Sequence, residues 1–522
     1  MPMDNAVDTE HNDRSKMYKN SGKPDDLRRR RVETSVELRR QKRSDDLMKR
    51  RNINLEQDSE ESDAQESIGE STKNKTPVRI TPEEARNILL NNPSLEQMQF
   101  AFEQIRRLLS INNNPPVDDI INAGLVEALV KALEVQDRKV QFEAAWGLTN
   151  IVSGTSDQTL IGVRAGCVKP LVPLMFSDDI PLAEQAMWAI ANIAGDSAQL
   201  RDHVIQNGVI PALDCLMSKL EKLPKITQRT LAWTYSNLCR HKNPSPSVEV
   251  LRLLAPGLAK LISVDDEQVR IDSCWALSYL TDGPDENLEV ALKAGVIPYV
   301  VDLISSSAKD QLAVPALRTL GNFATGSDLM TQVVVDSGIL REVIPRIIKT
   351  RSNSLIKESC WLVSNVIAGT QAQIQASIDA KLVTLMLDGD AKSQFEASWA
   401  VANLVHGGTI PQVCTLYKAN GLAVMCDLLK SKNVEVLCNM LDSIKAVLFA
   451  LQAISGDKLE NAKEQIEECG GLDSLEALQQ HENSRIYETA LGIIENFFSN
   501  DETDEEKENG IAGGDTNMQF NF

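Results

Sequence analysis

The residues best placed to do chemistry in this chain come in pairs. Residues 142–154 read FEAAWGLTNIVSG and residues 395–407 read FEASWAVANLVHG, each with a tryptophan four positions before an asparagine. The same spacing links Trp146 to Asn150, Trp188 to Asn192, Trp233 to Asn237, Trp361 to Asn365 and Trp399 to Asn403. On a helix, positions i and i+4 share a face one turn apart, so each pair projects together. A side-chain amide both donates and accepts, and so binds a peptide backbone without reading its side chains. Indole faces form slots for aliphatic stems and attract cations through the ring quadrupole. Such a ladder selects an extended peptide rich in Lys and Arg. The plainer reading, with Asn bracing a loop and Trp filling a gap between helices, suits one pair better than five in register.

Carboxylates accompany the ladder. Glu184 and Asp196 flank the Trp188 pair, and Asp272, Glu358 and Glu396 each precede a tryptophan by three residues. Singly, each fits a solvated surface acid; beside the ladder, they are expected at a groove rim as charge-assisted acceptors for ammonium and guanidinium groups. The pattern breaks twice, where Trp275 is followed by Tyr279 and where Arg318 precedes Asn322. Two aromatic platforms are therefore expected, Trp146–Trp275 and Trp361–Trp399, with Arg318 between them disfavouring a third basic cluster. At a helix-packing spacing of roughly 10 Å per repeat, a ligand touching both needs a linker of about ten residues or more.

Repetition supplies the elements that must hold these side chains. NAGLVEALVKAL at 122–133, RAGCVKPLVPLM at 164–175, QNGVIPALDCLM at 206–217, KAGVIPYVVDLI at 293–304, DSGILREVIPRI at 336–347 and ANGLAVMCDLL at 419–429 are versions of one segment. In each, a glycine ends one helix and an apolar helix begins. Gly124, Gly166 and Gly208 are 42 residues apart, and a helical period of roughly 40–47 residues marks HEAT or armadillo repeats. The fold expected over 80–498 is an all-α solenoid of about ten such repeats.

Bulk composition narrows the function classes. The chain has 522 residues and a net charge of −20, yet residues 14–53 hold 15 Lys/Arg against 6 Asp/Glu, so a basic arm is joined to a body carrying −29. That body repels phosphates, which argues against direct nucleic-acid binding despite RRRR at 28–31. The nine cysteines show no CxxC, and the five histidines (11, 203, 241, 406, 481) have no metal or triad spacing. An enzyme, a metal site and a cofactor are not expected, and the thiols read as buried groups in a reducing compartment. The chain start lacks an apolar leader segment, and no run approaches a membrane span. A β-catenin-like scaffold would share the repeat type but present a basic groove for acidic peptides.

A basic arm (1–55), an acidic linker (56–79), armadillo-type repeats with WxxxN ladders (80–498) and an acidic tail (499–522) together resemble the importin-α family of nuclear import adaptors. The resemblance covers nearly the whole chain. It implies that the arm binds importin-β, through Arg28, Arg29, Arg30, Arg31, Arg39, Arg40, Lys42 and Arg43, and that the groove binds nuclear localisation signals of cargo proteins, mono- or bipartite. The major site would use Trp146, Asn150, Ser153, Gly154, Thr159, Glu184, Gln185, Trp188, Asn192, Gly195, Asp196, Trp233, Asn237, Asp272 and Trp275. Within it, Ser153, Gly154, Thr159 and Asp196 would form the pocket for a critical lysine. The minor site would use Arg318, Asn322, Thr325, Gly326, Thr331, Glu358, Trp361, Ser364, Asn365, Glu396, Trp399 and Asn403. KRRN at 49–52 looks like a localisation signal in cis, with Lys49, Arg50 and Arg51 autoinhibitory. Residues 420–498 resemble the region bound by the export receptor with the GTPase Ran, and nucleoporins are a further implied partner. Such a protein shuttles between cytoplasm and nucleus. The sequence departs from the family pattern near its end, with Lys445 and Ala446 where the ninth repeat's asparagine is expected, and in an eighth repeat that looks shortened.

Overall fold

The computed structural model describes residues 49–52, 80–306, 309–350, 352–383 and 391–499. The expected importin-β-binding residues Arg28–Arg31, Arg39, Arg40, Lys42 and Arg43, the linker 56–79 and the tail beyond Ser499 lie outside them. The described residues are helical, and none of their helices is long and apolar enough to cross a membrane. The chain divides into two compact units, 1–369 and 370–522.

In the first unit, each repeat has one long helix, and all but the first carry residues of the Trp/Asn ladder. These helices are α1 (Leu95–Leu109), α2 (Arg138–Val152), α3 (Ile180–Asp196), α4 (Lys225–Cys239), α5 (Glu267–Thr281), α6 (Asp310–Thr325) and α7 (Asn353–Ile367). Each packs on the next in order. Their seams are made of small and branched residues such as Ala144, Ala145, Ala186, Ala189, Ile190, Leu231, Leu277 and Leu317, all fully buried. Short, close-packed side chains let neighbouring helices approach and stack. Asp137, Asp179 and Asp266 cap α2, α3 and α5, each carboxylate accepting the backbone N–H three residues on and so satisfying a donor that the helix leaves unpaired.

The recurring glycine turn is a left-handed one. Gly124, Gly166, Gly208, Gly295 and Gly338 all have φ between 67° and 89°, a region that residues with a Cβ rarely adopt. In the second unit Gly470 follows the same rule, with φ 71°. In ANGL, however, the left-handed position is Asn420 at φ 59°, and Gly421 begins the following helix; asparagine tolerates this conformation better than other side chains. In the eighth repeat Lys381 occupies it, at φ 57°. The second unit contains α8 (Ala391–Gly407), α9 (Val434–Gln452) and α10 (Ser484–Phe497), with α9 packed on both α8 and α10. In α9, Asn439 donates to Ser398 of α8 at 3.2 Å, while Lys445 and Ala446 lie half-buried further along.

Candidate peptide-binding groove

In the first unit, residues 49–52 of the same chain lie across α2–α5. Asn192 of α3 accepts the backbone N–H of Arg50 at 2.7 Å and donates its amide N–H to the Arg50 carbonyl at 3.0 Å. Two residues on, Asn150 of α2 does the same for Asn52, at 2.8 and 3.0 Å. Exchanging both bonds with alternate residues is what a neighbouring β-strand does, so the two asparagines act as a strand edge mounted on helices. The ring nitrogens of Trp188 and Trp146 donate to the same carbonyls, at 2.7 and 3.1 Å. Contacts move from α3 to α2 as the residue number rises from 50 to 52, so the segment runs against the order of the repeats.

The amides are prepared for this by their own packing. Asn192 also donates to the Thr149 carbonyl at 3.2 Å, and Asn150 to the Leu109 carbonyl and Ser110 Oγ at 3.2 and 3.1 Å. Asn237 and Asn322 likewise donate to carbonyls of the preceding helix, Ala191 at 2.9 Å and Ser278 at 3.0 Å. Bracing and binding, set against each other as alternatives in the sequence, are one arrangement. The NH₂ group ties successive helices together, and the fixed plane of the amide then aims its oxygen outward.

Each of the four side chains finds partners. The ammonium of Lys49 meets the Gly154 carbonyl at 3.0 Å, Thr159 Oγ1 at 2.8 Å and the Asp196 carboxylate, three acceptors for three donors. The Thr159 hydroxyl faces the Val152 and Thr155 carbonyls, both at 3.0 Å, which take its proton and leave a lone pair for the ammonium. Gly154 must lack a side chain, because a Cβ there would stand 2.0 Å from Gln158 Oε1, held in the capping box with Thr155. The Arg50 guanidinium lies 4.6 Å above the Trp233 ring, with Asp272 at its tip at 3.1 Å. Burial raises the Asp272 carboxyl above the usual aspartate range, with Arg50 opposing it. Asn52 donates to Gln185 Oε1 at 2.9 Å, and Arg51 to the Asn112 carbonyl at 2.5 Å.

Several expected groove residues make contacts within the repeats. Ser153 Oγ bonds back to the Asn150 carbonyl at 2.8 Å, and the Gly195 carbonyl faces His241 Nε2 at 3.2 Å. Glu184 accepts from Thr227 at 2.6 Å and Thr230 at 3.3 Å, and burial raises its carboxyl. Of the carboxylates expected as acceptors, Asp272 takes the Arg50 guanidinium, and those that precede a tryptophan by three residues are all buried. Asp272 is 3% and Glu358 5% exposed, and Glu396 is also buried. Asp272 is covered by Arg50, and Glu358 by Arg318, whose guanidinium reaches it at 3.0 Å and lies 5.5 Å above the Trp275 ring. The Arg318 charge is thus matched by Glu358 and buried, where an open repelling charge was expected.

The tryptophans are not uniformly open either. Trp146, Trp188, Trp275 and Trp399 are half-buried. Trp233 is 1% exposed, enclosed by Arg50 and by the Trp188 edge at 6.4 Å. Trp361 is 4% exposed because its ring lies against the preceding helix, α6, where a Cβ at Gly321 would stand 2.1 Å from it. At Trp361 the plainer reading, a tryptophan filling a gap between helices, describes the contact, because a glycine makes room. Around Asn322, Thr331 bonds the Ala324 and Ser327 carbonyls at 3.3 and 3.1 Å, and Thr325 bonds the Asn322 carbonyl at 2.8 Å. Ser364 and Asn365 both donate to the Trp361 carbonyl at 2.9 Å. In the second unit, Asn403 is buried on α8 with Glu396.

Sequence reasoning missed Arg106, which stacks 4.7 Å over Trp146 while pairing with Glu143 at 2.7 Å. Phe142 adds an edge contact to the same ring at 5.7 Å, so the quoted FEAAW motif contains two of the groups that fix its tryptophan.

The importin beta binding domain family matches residues 14–99, the armadillo/beta-catenin-like repeat family matches 113–153 and 155–195, and an atypical Arm repeat family matches 460–511. Importin subunit alpha-2 of Caenorhabditis elegans is 48% identical over 316 residues, 60% of this chain and 59% of that one. The match therefore spans about six-tenths of that relative's length. Importin subunit alpha-3 of Arabidopsis thaliana is 35% identical over 98% of both chains. An engineered protein of known crystal structure, 26% identical, superposes with a TM-score of 0.70, covering 80% of this chain and 99% of its own. Repeats, groove and full-length similarity lead to one assignment: the chain belongs to the importin-α family.

Proposed function

We propose that this protein is a nuclear import adaptor. Its groove binds basic nuclear localisation signals of cargo proteins, and its N-terminal segment binds importin-β, which carries the complex between cytoplasm and nucleus. The observation that carries this reading is the seat of residues 49–52. Two asparagines and two indoles hold the backbone, and Asp196 and Asp272 take the basic side chains. A cargo signal of Lys-Arg type presents the same groups in the same order. The first unit's groove is the major signal site, and the residues around Asn322, Thr331 and Asn365 in that unit serve a second cluster; in the second unit, Glu396, Trp399 and Asn403 are the residues of the same type.

Because Lys49, Arg50 and Asn52 occupy the groups a cargo needs, the free protein inhibits itself, and importin-β relieves this by drawing the basic segment away. No catalysis is involved. Engagement of the export receptor with Ran by residues 420–498, and of nucleoporins, belongs to the same cycle. The test is a fluorescence titration of a labelled Lys-Lys-Lys-Arg-Lys peptide against the full chain and against Lys49→Ala/Arg50→Ala. The variant should bind at least ten-fold tighter, and adding importin-β to the parent chain should produce a gain of the same order. Equal affinity for parent and variant would remove the autoinhibitory role, and binding by neither would remove the adaptor reading.

A further inference from the structure

Of the nine cysteines, two from successive turns of the second unit meet. Cys426 lies in the helix Gly421–Leu428, and Cys469 caps the helix Gly456–Glu468. The two helices pack together, and Gln465 of the second donates to Asn420 at the start of the first. The Cys426 sulfur presses on the chain just beyond Cys469, where a Cβ at Gly471 would stand 2.5 Å from it and 2.9 Å from the Ile466 carbonyl. Cys469 donates its thiol to that same carbonyl at 3.4 Å, so both sulfurs border the turn at Gly470.

The pair is asymmetric. Cys426 is 1% exposed, whereas Cys469 is half-buried and within reach of small reagents. Lys430, one turn beyond Cys426, is ion-paired to Asp427 at 3.0 Å. Burial and the neighbouring sulfur hold the Cys426 thiol well above the ordinary range, so it is inert until its neighbour has reacted.

We propose that Cys469 and Cys426 form a reversible oxidation site, in which a small hydroperoxide oxidises Cys469 and Cys426 resolves the product as a disulfide. Cys469 Sγ attacks the hydroperoxide, an S–O bond forms, the O–O bond breaks, and water or an alcohol leaves with the thiol proton. Cys426 Sγ then attacks the sulfenic sulfur; the S–S bond forms, the S–O bond breaks, and water leaves with the Cys426 proton. The two thiols lose two electrons and the hydroperoxide gains them. A cellular thiol reverses the step by exchange. The product ties the helix Gly421–Leu428 to the turn at Gly470, one repeat further on.

The test uses the full chain with all nine cysteines. Before oxidation, N-ethylmaleimide should label native Cys469 about ten-fold faster than Cys426. After hydrogen peroxide, the protein is unfolded in acid with N-ethylmaleimide and digested without reductant. Mass mapping should then show peptides joined through 426 and 469, two hydrogens lighter than the separate thiols and split by a phosphine. Cys426→Ser should abolish that product and carry Cys469 on to sulfinic acid. Peroxide that leaves both thiols alkylatable, joins Cys469 mainly to a different cysteine, or takes wild-type Cys469 to sulfinic acid with Cys426 still free would overturn the proposal.

Discussion

Two turns of the first unit share a backbone and differ in charge. After α2, Ser153 bonds back to Asn150, and Thr159 is held between the Val152 and Thr155 carbonyls. After α6, Thr325 bonds back to Asn322, and Thr331 is held between the Ala324 and Ser327 carbonyls. Gly154 and Gly326 occupy the same place in each. The first turn borrows Asp196 from the end of α3. The matching residue after α7 is Gly369, while Asp328 stands, exposed, where the first turn has Ser156. The cradle of carbonyl and hydroxyl is therefore a product of the repeat, made wherever the turn is made. Selectivity for an ammonium is added by one carboxylate from the following helix, held at 2.9 Å by Ser156.

Asp196→Asn is the most direct way to collapse the difference. On a Lys49→Ala/Arg50→Ala background it should cost a Lys-Lys-Lys-Arg-Lys peptide about 3 kcal/mol at the first site, by calorimetry, and a loss under five-fold would mean the cradle alone suffices. Gly321→Ala probes the packing that distinguishes α6. A methyl group directed into the Trp361 ring should destabilise the fold by about 1–3 kcal/mol, despite the better helix propensity of alanine, and a raised melting temperature would show that the ring moves freely. Gly369→Asp should sharpen the second turn towards lysine by about 1 kcal/mol, measured with a peptide whose first-site cluster is replaced by alanines. A smaller effect concerns pH. Burial raises Asp272 in the occupied groove, while Arg50 favours its ionised form, so the ion pair is lost when that carboxyl takes a proton. Affinity for an arginine-bearing peptide should fall on acidification at a pH above the usual aspartate range, and Asp272→Asn should flatten that profile.

Local periodicity carried the repeat length, the left-handed glycines and the pairing of Trp146 with Asn150 or Trp188 with Asn192, because each is a relation within one helix or one turn. Contacts made about forty residues apart were not legible. Arg318 looks like an open charge until Glu358 is seen facing it, and Trp361 looks like a binding surface until Gly321 is seen beneath it. Gly421 drew attention in ANGL because glycine usually takes the left-handed position, yet Asn420 does so here. Arg106 escaped notice because its partners Glu143 and Trp146 lie on the next helix.

The reversed course of residues 49–52 has a consequence for the inhibitory equilibrium. Running against the repeats leaves Asn52 over α2, at the end of the array where Ile80 leads into the first helix, 28 positions later in the numbering. A parallel course would strand that exit two repeats further along, adding about 20 Å to the span those residues must bridge. The ring to be closed is therefore a small one, which keeps its entropic penalty low. Under the proposed autoinhibition, an incoming signal competes with a rival that never diffuses away, and the direction of the strand would set how much cargo is needed to displace it.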